Sequence, residues 1–191
     1  MKNLKIALVL FVICLICAAG ISGMYMLTNP IIEANNNKKE LETVQSIFDS
    51  YDQSKSETIT EGFSSSYISK KIIARDHNNN DLGTIYTVAG KNDYGNISLM
   101  VAIKGESIYR IEFLENGQSF GANVNSFLKT NFPSSKENVI EGGFVTESET
   151  FEGELNFSNI DSIDVSCGAT YGAKLIMELV NAAVEDSKGV N

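Results

Sequence analysis

Apolar and polar positions divide this chain into three kinds of pattern. From Ile6 to Leu27 the sequence carries no charged side chain. Coiled as a helix, such a run spans about 33 Å, enough to cross a hydrocarbon core of about 30 Å. Asn29-Pro30 follows, and a residue before proline is pushed away from helical angles, so the first helix is expected to close there. From Ile31 to about Phe48 the pattern turns helical again. Leu41, Val44, Ile47 and Phe48 form one stripe, and Lys38, Lys39, Glu40 and Glu42 occupy other faces. This segment reads as a stalk that lays one stripe on a domain. Residues 49–66 are rich in Ser, Asp and Gly and read as a connection.

The third pattern is alternation. Tyr67 to Ala74 makes a plausible first strand, and His77-Asn78-Asn79-Asn80-Asp81 a turn. Leu82, Thr84, Tyr86 and Val88 share one face of a second strand. Ile97, Leu99, Val101 and Ile103 alternate with Ser98, Met100 and Ala102, the clearest period of two in the chain. Lys104-Gly105-Glu106 is a hairpin connection, and Tyr109, Ile111 and Phe113 continue on the next strand. Short turns between successive strands predict an antiparallel meander. A short helix with Val124, Phe127 and Leu128 on one side follows, ended by Pro133-Ser134-Ser135. The final helix is the best formed. Leu175, Leu179 and Ala183 make one row, and Ile176, Val180 and Val184 the next. Burying four large side chains of this stripe contributes roughly 6–12 kcal/mol before conformational entropy is counted. The fold class expected is α+β, an antiparallel sheet flanked by helices, with one N-terminal transmembrane helix.

Composition narrows the function. All 24 acidic residues and 13 of the 15 basic ones lie after residue 30, so that part is strongly acidic. A nucleic-acid partner is not expected, because phosphate would be repelled over most of the surface. With one histidine, His77 in the Asn-rich turn, a His-rich metal site is excluded and no metal is expected. Cys14 and Cys17 fall in the apolar run and leave Cys167 alone, so no disulfide framework is available to the domain. Lys2 and Lys5 on the short flank favour an inside N-terminus, which places the bulk of the chain outside the cytoplasm. An uncleaved anchor fits the length of the run, and a cleaved signal peptide is the rival reading. Glu147, Glu149, Glu152 and Glu154 alternate and read as a solvated face or one that opposes a basic partner.

The chemistry concentrates just before the last helix, at Asp164-Val165-Ser166-Cys167-Gly168-Ala169-Thr170. This is a strand-to-helix turn of small residues. Gly168 lets a ligand approach the main chain and Ala169 adds little bulk. Thr170 puts a hydroxyl at the first helical turn, where free N–H groups and the helix dipole favour an anion. Lys174, one turn on, adds positive charge. Two readings stand on these residues alone: Thr170 as a helix cap, and Thr170 as the holder of a phosphate group.

The segment resembles the Asp-x-x-Ser-Gly-Ala-Thr motif of the FMN-binding domain family. That family includes flavin-carrying components of the Rnf electron-transport complex and of the sodium-pumping NADH:quinone reductase. Asp164 and Thr170 keep the motif's spacing, with Cys167 in place of its usual serine and Gly172 and Ala173 where Thr and Ser often follow. Leu27-Thr28-Asn29-Pro30-Ile31-Ile32-Glu33-Ala34-Asn35 also looks like the start of the Rnf component. Asp93-Tyr94-Gly95-Asn96-Ile97 followed by Val101-Ala102-Ile103 looks like the family's central strands. Asn116-Gly117-Gln118-Ser119-Phe120-Gly121-Ala122 stands where the family carries Glu-Thr-Pro-Gly-Leu-Gly, and on this resemblance the Asn116–Gly121 loop is expected to form a wall of the flavin pocket.

The resemblance implies FMN joined to Thr170 by a phosphoester, with Gly168, Ala169, Cys167, Ser166, Asp164, Lys174, Gln118, Ser119 and Gly121 around it. It implies an anchor at residues 1–30, a juxtamembrane helix and linker at 31–55, and an FMN-binding domain at 56–191. Its expected partners are the other membrane subunits of an electron-transport complex and a flavin transferase that loads FMN from FAD. The function implied is electron transfer within an Rnf-like ion-translocating complex rather than catalysis by a stand-alone enzyme. The cell membrane, with one pass and an extracytoplasmic domain, is the expected location. The alternative is a membrane-tethered binding or sensor domain of the same fold without covalent flavin.

Overall fold

The computed structural model describes residues 2–134, 139–141, 144–146, 151, 153–166 and 168–189. The chain divides into two compact units, residues 1–42 and 43–191. Helix α1 runs from Lys2 to Ile47 without a break, with Pro30 inside it. The closure expected at Asn29-Pro30 is therefore not there. A proline removes one N–H and one i→i−4 bond, a local cost that does not by itself end a helix. Side-chain hydrogen bonds span the turns on either side. Thr28 Oγ1 donates to the Met24 carbonyl at 2.7 Å, and Asn29 Nδ2 to Glu33 Oε1 at 2.7 Å. Leu8, Phe11, Ile16, Ile21 and Leu27 are all more than half exposed, on every side of the helix. Its length and apolar composition suffice to cross a membrane.

The second unit holds strands β1 (Glu57–Ile59), β2 (Ile68–Arg75), β3 (Asp81–Asn92), β4 (Gly95–Lys104) and β5 (Ser107–Asn116), then helix α2 (Gly121–Asn131). A small hairpin of β6 (Val139–Glu141) and β7 (Phe144–Thr146) follows, then β8 (Leu155–Asn156), a 3-10 turn (Phe157–Ser162) and helix α3 (Thr170–Ser187). The main sheet is antiparallel throughout, in the order β1-β2-β3-β4-β5-β8. The meander expected from the alternation is present, extended by an edge strand at each side.

Pairing across the sheet sorts the side chains. Tyr86 faces Val101 and Val88 faces Leu99, and all four are fully buried in one core with Ile97, Leu175, Ile176, Leu179 and Val180. The two apolar rows of α3 thus lie on β3 and β4. On the opposite face Ile85 pairs with Ala102 and Thr87 with Met100, and these too are buried. Val44, Ile47 and Phe48 of the stalk stripe are buried as expected. Phe48 stacks on Tyr109 with ring centroids 5.3 Å apart, and Lys104 Nζ lies 3.8 Å from the Tyr109 centroid. A register shift in β4–β5 between Ala102 and Ile103 explains why Ile108 and Ile111 enter the core while Tyr109 meets Phe48.

His77 is exposed, with Nδ1 2.7 Å from Asp52 Oδ2. Residues Glu147, Glu149, Glu152 and Ser135 lie outside the described residues, and Glu154 is exposed.

Candidate functional site: a cleft at the head of the last helix

Three segments far apart in sequence meet at one end of the sheet. The β3–β4 hairpin turns through Asp93 and Tyr94, with Asn92 paired to Gly95. Gly95 has φ +138°, and a Cβ there would stand 2.0 Å from the Gly117 carbonyl oxygen. Only glycine allows the 116–121 loop to cross so close. That loop is stapled by Asn116, whose Oδ1 accepts from the Gln118 N–H at 3.2 Å and whose Nδ2 donates to the Gly121 carbonyl at 3.1 Å. The Gly117 N–H donates to the Asn96 carbonyl, and the Ser119 N–H to the Tyr94 carbonyl, both at 2.9 Å.

Gln118 is the buried polar residue at the centre. Its Nε2 donates to Asn92 Oδ1 at 3.0 Å and to the Gly95 carbonyl at 2.7 Å. Asn92 Nδ2 in turn donates to the Tyr171 carbonyl in the first turn of α3, at 3.1 Å. One pair of carboxamides therefore binds hairpin, loop and helix together. The close approach of α2 to the head of α3 depends on small residues. A Cβ on Gly172 would lie 2.5 Å from Val124 Cγ2, and one on Gly168 2.5 Å from Asn123 Nδ2.

Between these segments lies a cleft of about 220 Å³. Gly168, Ala169 and Thr170 line it from the helix side, with Tyr171 and Gly172 beyond them. Gln118, Phe120 and Val124 line the opposite side, and Tyr94 closes the hairpin end. Helix α3 begins at Thr170, and its N-cap is Ala169, which makes no side-chain capping bond. The cap reading of Thr170 is thus corrected: the threonine is the first helical residue, half-buried in the cleft wall. Ala169 offers only a methyl group at the cap position and so supplies no side-chain acceptor to the helix's positive end.

Of the expected site residues, Thr170, Gly168, Ala169 and Gln118 come together on the cleft. Asp164 and Ser166 do not line it. They form an exposed turn in which the Asp164 carboxylate accepts from the Ser166 hydroxyl and backbone N–H. Those bonds hold the Asp164 carboxyl below its ordinary range. Ser119 is exposed and ties its Oγ to the Tyr94 carbonyl at 3.2 Å. Gly121 starts α2 and does not line the cleft, and Lys174 is exposed one turn along α3. Cys167 lies outside the described residues. Phe120 joins the cleft from the 116–121 loop that the resemblance makes a pocket wall, and Tyr94, Val124, Tyr171 and Gly172 join it although the sequence pattern does not mark them as site residues.

Every residue that borders the cleft lies between positions 94 and 172. Residues 93–185 match the FMN-binding domain family. The matched segment, just under half of the chain, opens at the hairpin tip and runs almost to the end of α3. No curated protein matches the chain. The match supports FMN as the cofactor, and the cleft fits one end of that molecule. An uncapped helix start, two glycines and a hydroxyl provide for a phosphate group, as anion sites at helix N-termini do.

Proposed function

We propose that this protein is a membrane-anchored flavoprotein that carries FMN on Thr170 through a phosphoester and passes electrons as part of an Rnf-like ion-translocating complex. One observation carries the reading. The uncapped start of α3 places Thr170 in the wall of an aromatic-lined cleft, inside the segment that matches the FMN-binding domain family.

The roles of the residues follow. Thr170 supplies the hydroxyl oxygen that bonds phosphorus. With FAD as donor and a flavin transferase as catalyst, the phosphoester forms as the pyrophosphate bond breaks, AMP leaves and the hydroxyl gives up its proton. The dipole of α3 stabilises the phosphate charge, and Gly168 and Ala169 keep side chains out of its way. Gln118 and Asn92 hold the three segments in register. When bound, FMN supplies one- and two-electron redox chemistry.

A covalent bond suits a domain outside the cytoplasm, where a dissociated cofactor would be lost. The acidic surface suits a basic partner subunit, and the N-terminal helix keeps the domain beside the membrane.

The experiment is a denaturing gel of the full chain produced in membranes with and without a flavin transferase. Yellow-green fluorescence that survives denaturation, needs the transferase and vanishes in Thr170→Ala is the expected result. A dark wild-type band beside a labelled control protein overturns the covalent reading.

A further inference from the structure

Tyr94, Phe120 and Tyr171 are the large apolar side chains exposed in the second unit, among the described residues. They are 42%, 59% and 62% exposed, and all three border the cleft at the head of α3. The other large apolar groups of the unit are buried or half-buried among the described residues. Such a concentration of exposed rings marks a surface meant to be covered.

The two tyrosines are already arranged as a platform. Their rings stack with centroids 5.2 Å apart and planes 24° apart. Their backbones are held by one side chain, since Asn92 Oδ1 accepts from the Tyr94 N–H at 2.9 Å and Asn92 Nδ2 donates to the Tyr171 carbonyl. Ser119 fixes the Tyr94 carbonyl from the other side. The backbone beneath both rings is therefore held in place before anything binds, which limits the entropy lost in using them. The cleft itself, at about 220 Å³, is smaller than the roughly 300–1,000 Å³ of sites that enclose a drug-sized ligand. A group anchored at Thr170 must leave its far end at the mouth, beside these rings.

We infer that Tyr94 and Tyr171, faced by Phe120, form the seat of the flavin's ring system, with one flat face covered by the tyrosine pair and the edge left open to partners. The inference rests on the proposed FMN attachment and adds residues that the attachment does not require. Flat, electron-poor heterocycles stack on electron-rich phenol rings. A tyrosine in contact also donates an electron to the excited flavin and so extinguishes its fluorescence, which a phenylalanine does far less readily.

The test uses the full chain, loaded by a flavin transferase and kept in detergent micelles. Intact mass first reports attachment in wild type, Tyr94→Leu, Tyr171→Leu and the double variant Tyr94→Phe with Tyr171→Phe. Emission per attached flavin is then compared before and after denaturation. A wild type that brightens severalfold on denaturation, and native leucine variants that are brighter than native wild type, support the seat. Should the leucine variants fail to fold, the double variant Tyr94→Phe with Tyr171→Phe decides, since either tyrosine left alone still quenches in part: a brighter native protein supports the seat and an unchanged one overturns it. Full attachment with equal emission in all proteins overturns the seat and leaves the attachment standing. Absence of FMN from wild type, with the transferase active on a control, removes both.

Discussion

Gln118 Nε2 and the backbone N–H of Tyr94 share one acceptor, Asn92 Oδ1, at 3.0 and 2.9 Å. The sharing orients both carboxamides: Asn92 must present oxygen there, and its nitrogen then points to Tyr171 and holds it. Gln118 must present nitrogen, because its second partner is the Gly95 carbonyl.

Replacing Gln118 by Glu tests this orientation. An ionised carboxylate has no donor and would face two acceptors from a buried position. Gln118→Glu is expected to destabilise the domain by about 1–3 kcal/mol at neutral pH. Acid should recover part of the loss, since a protonated carboxyl donates one hydrogen bond. Thermal unfolding of both proteins across the acidic range checks it; an equal deficit at all pH values would contradict the assignment.

Gly172 sets the distance between α2 and α3. Gly172→Ala places a methyl 2.5 Å from Val124 Cγ2 and should cost about 1–3 kcal/mol. Adding Val124→Ala makes room, so the double variant should be more stable than the sum of the singles by about 0.5–3 kcal/mol. Denaturant unfolding of the four proteins measures the coupling, and strict additivity would show that the contact is not felt.

Much of the fold is legible along the chain, and specific elements show why. The alternation at Ile97–Ile103 works because β4 is central, so register and burial are the same fact. The rows of α3 work because one helix face is covered by a sheet. Strand β1 escapes because three residues at an edge have no period to read; only pairing with β2 defines them. Tyr109 reads in line with Ile111 by alternation, and a register shift turns it to the other face. Within the site, Thr170, Gly168, Ala169 and Gln118 are legible from a local motif and a resemblance. Phe120 is legible only as part of the 116–121 loop; Tyr94 and Tyr171 are not, because a lone aromatic in a turn has no pattern, and the convergence of the three is created by the fold. An aromatic beside an Asp-Tyr-Gly hairpin and another after a small-residue turn are the available signals.

Phe48 belongs to the domain although it follows the long helix. It is 4% exposed, stacks on Tyr109 and lies beneath Lys104 Nζ at 5.1 Å. Phe48→Ala is expected to cost about 3–5 kcal/mol. Arg110 Nη1 also donates to the Ser46 carbonyl at 2.7 Å. Thermal melting and amide exchange of the sheet would report the loss, and an unchanged melt would show that the domain begins later.

Asp52 gives the fold a defined response to acid. The Ser54 hydroxyl first, then His77 and the Ser54 N–H, lower its pKa from 3.8 to about 2. A lowered carboxyl stabilises the fold above its unfolded pKa and loses that contribution as pH falls through the folded value. Asp52→Asn should therefore be less stable than wild type at neutral pH, with the gap closing between pH 3.8 and about 2. Melting temperatures of both proteins over this range check it; a constant gap would deny the ionised carboxylate any part.

The covalent attachment at Thr170 is tested most directly by intact-mass spectrometry of the protein taken from its native membrane, with fragmentation to locate any added mass. The account predicts the mass of the polypeptide increased by one FMN less one water, on the peptide that contains Thr170. A protein carrying only the mass of its own chain would contradict it.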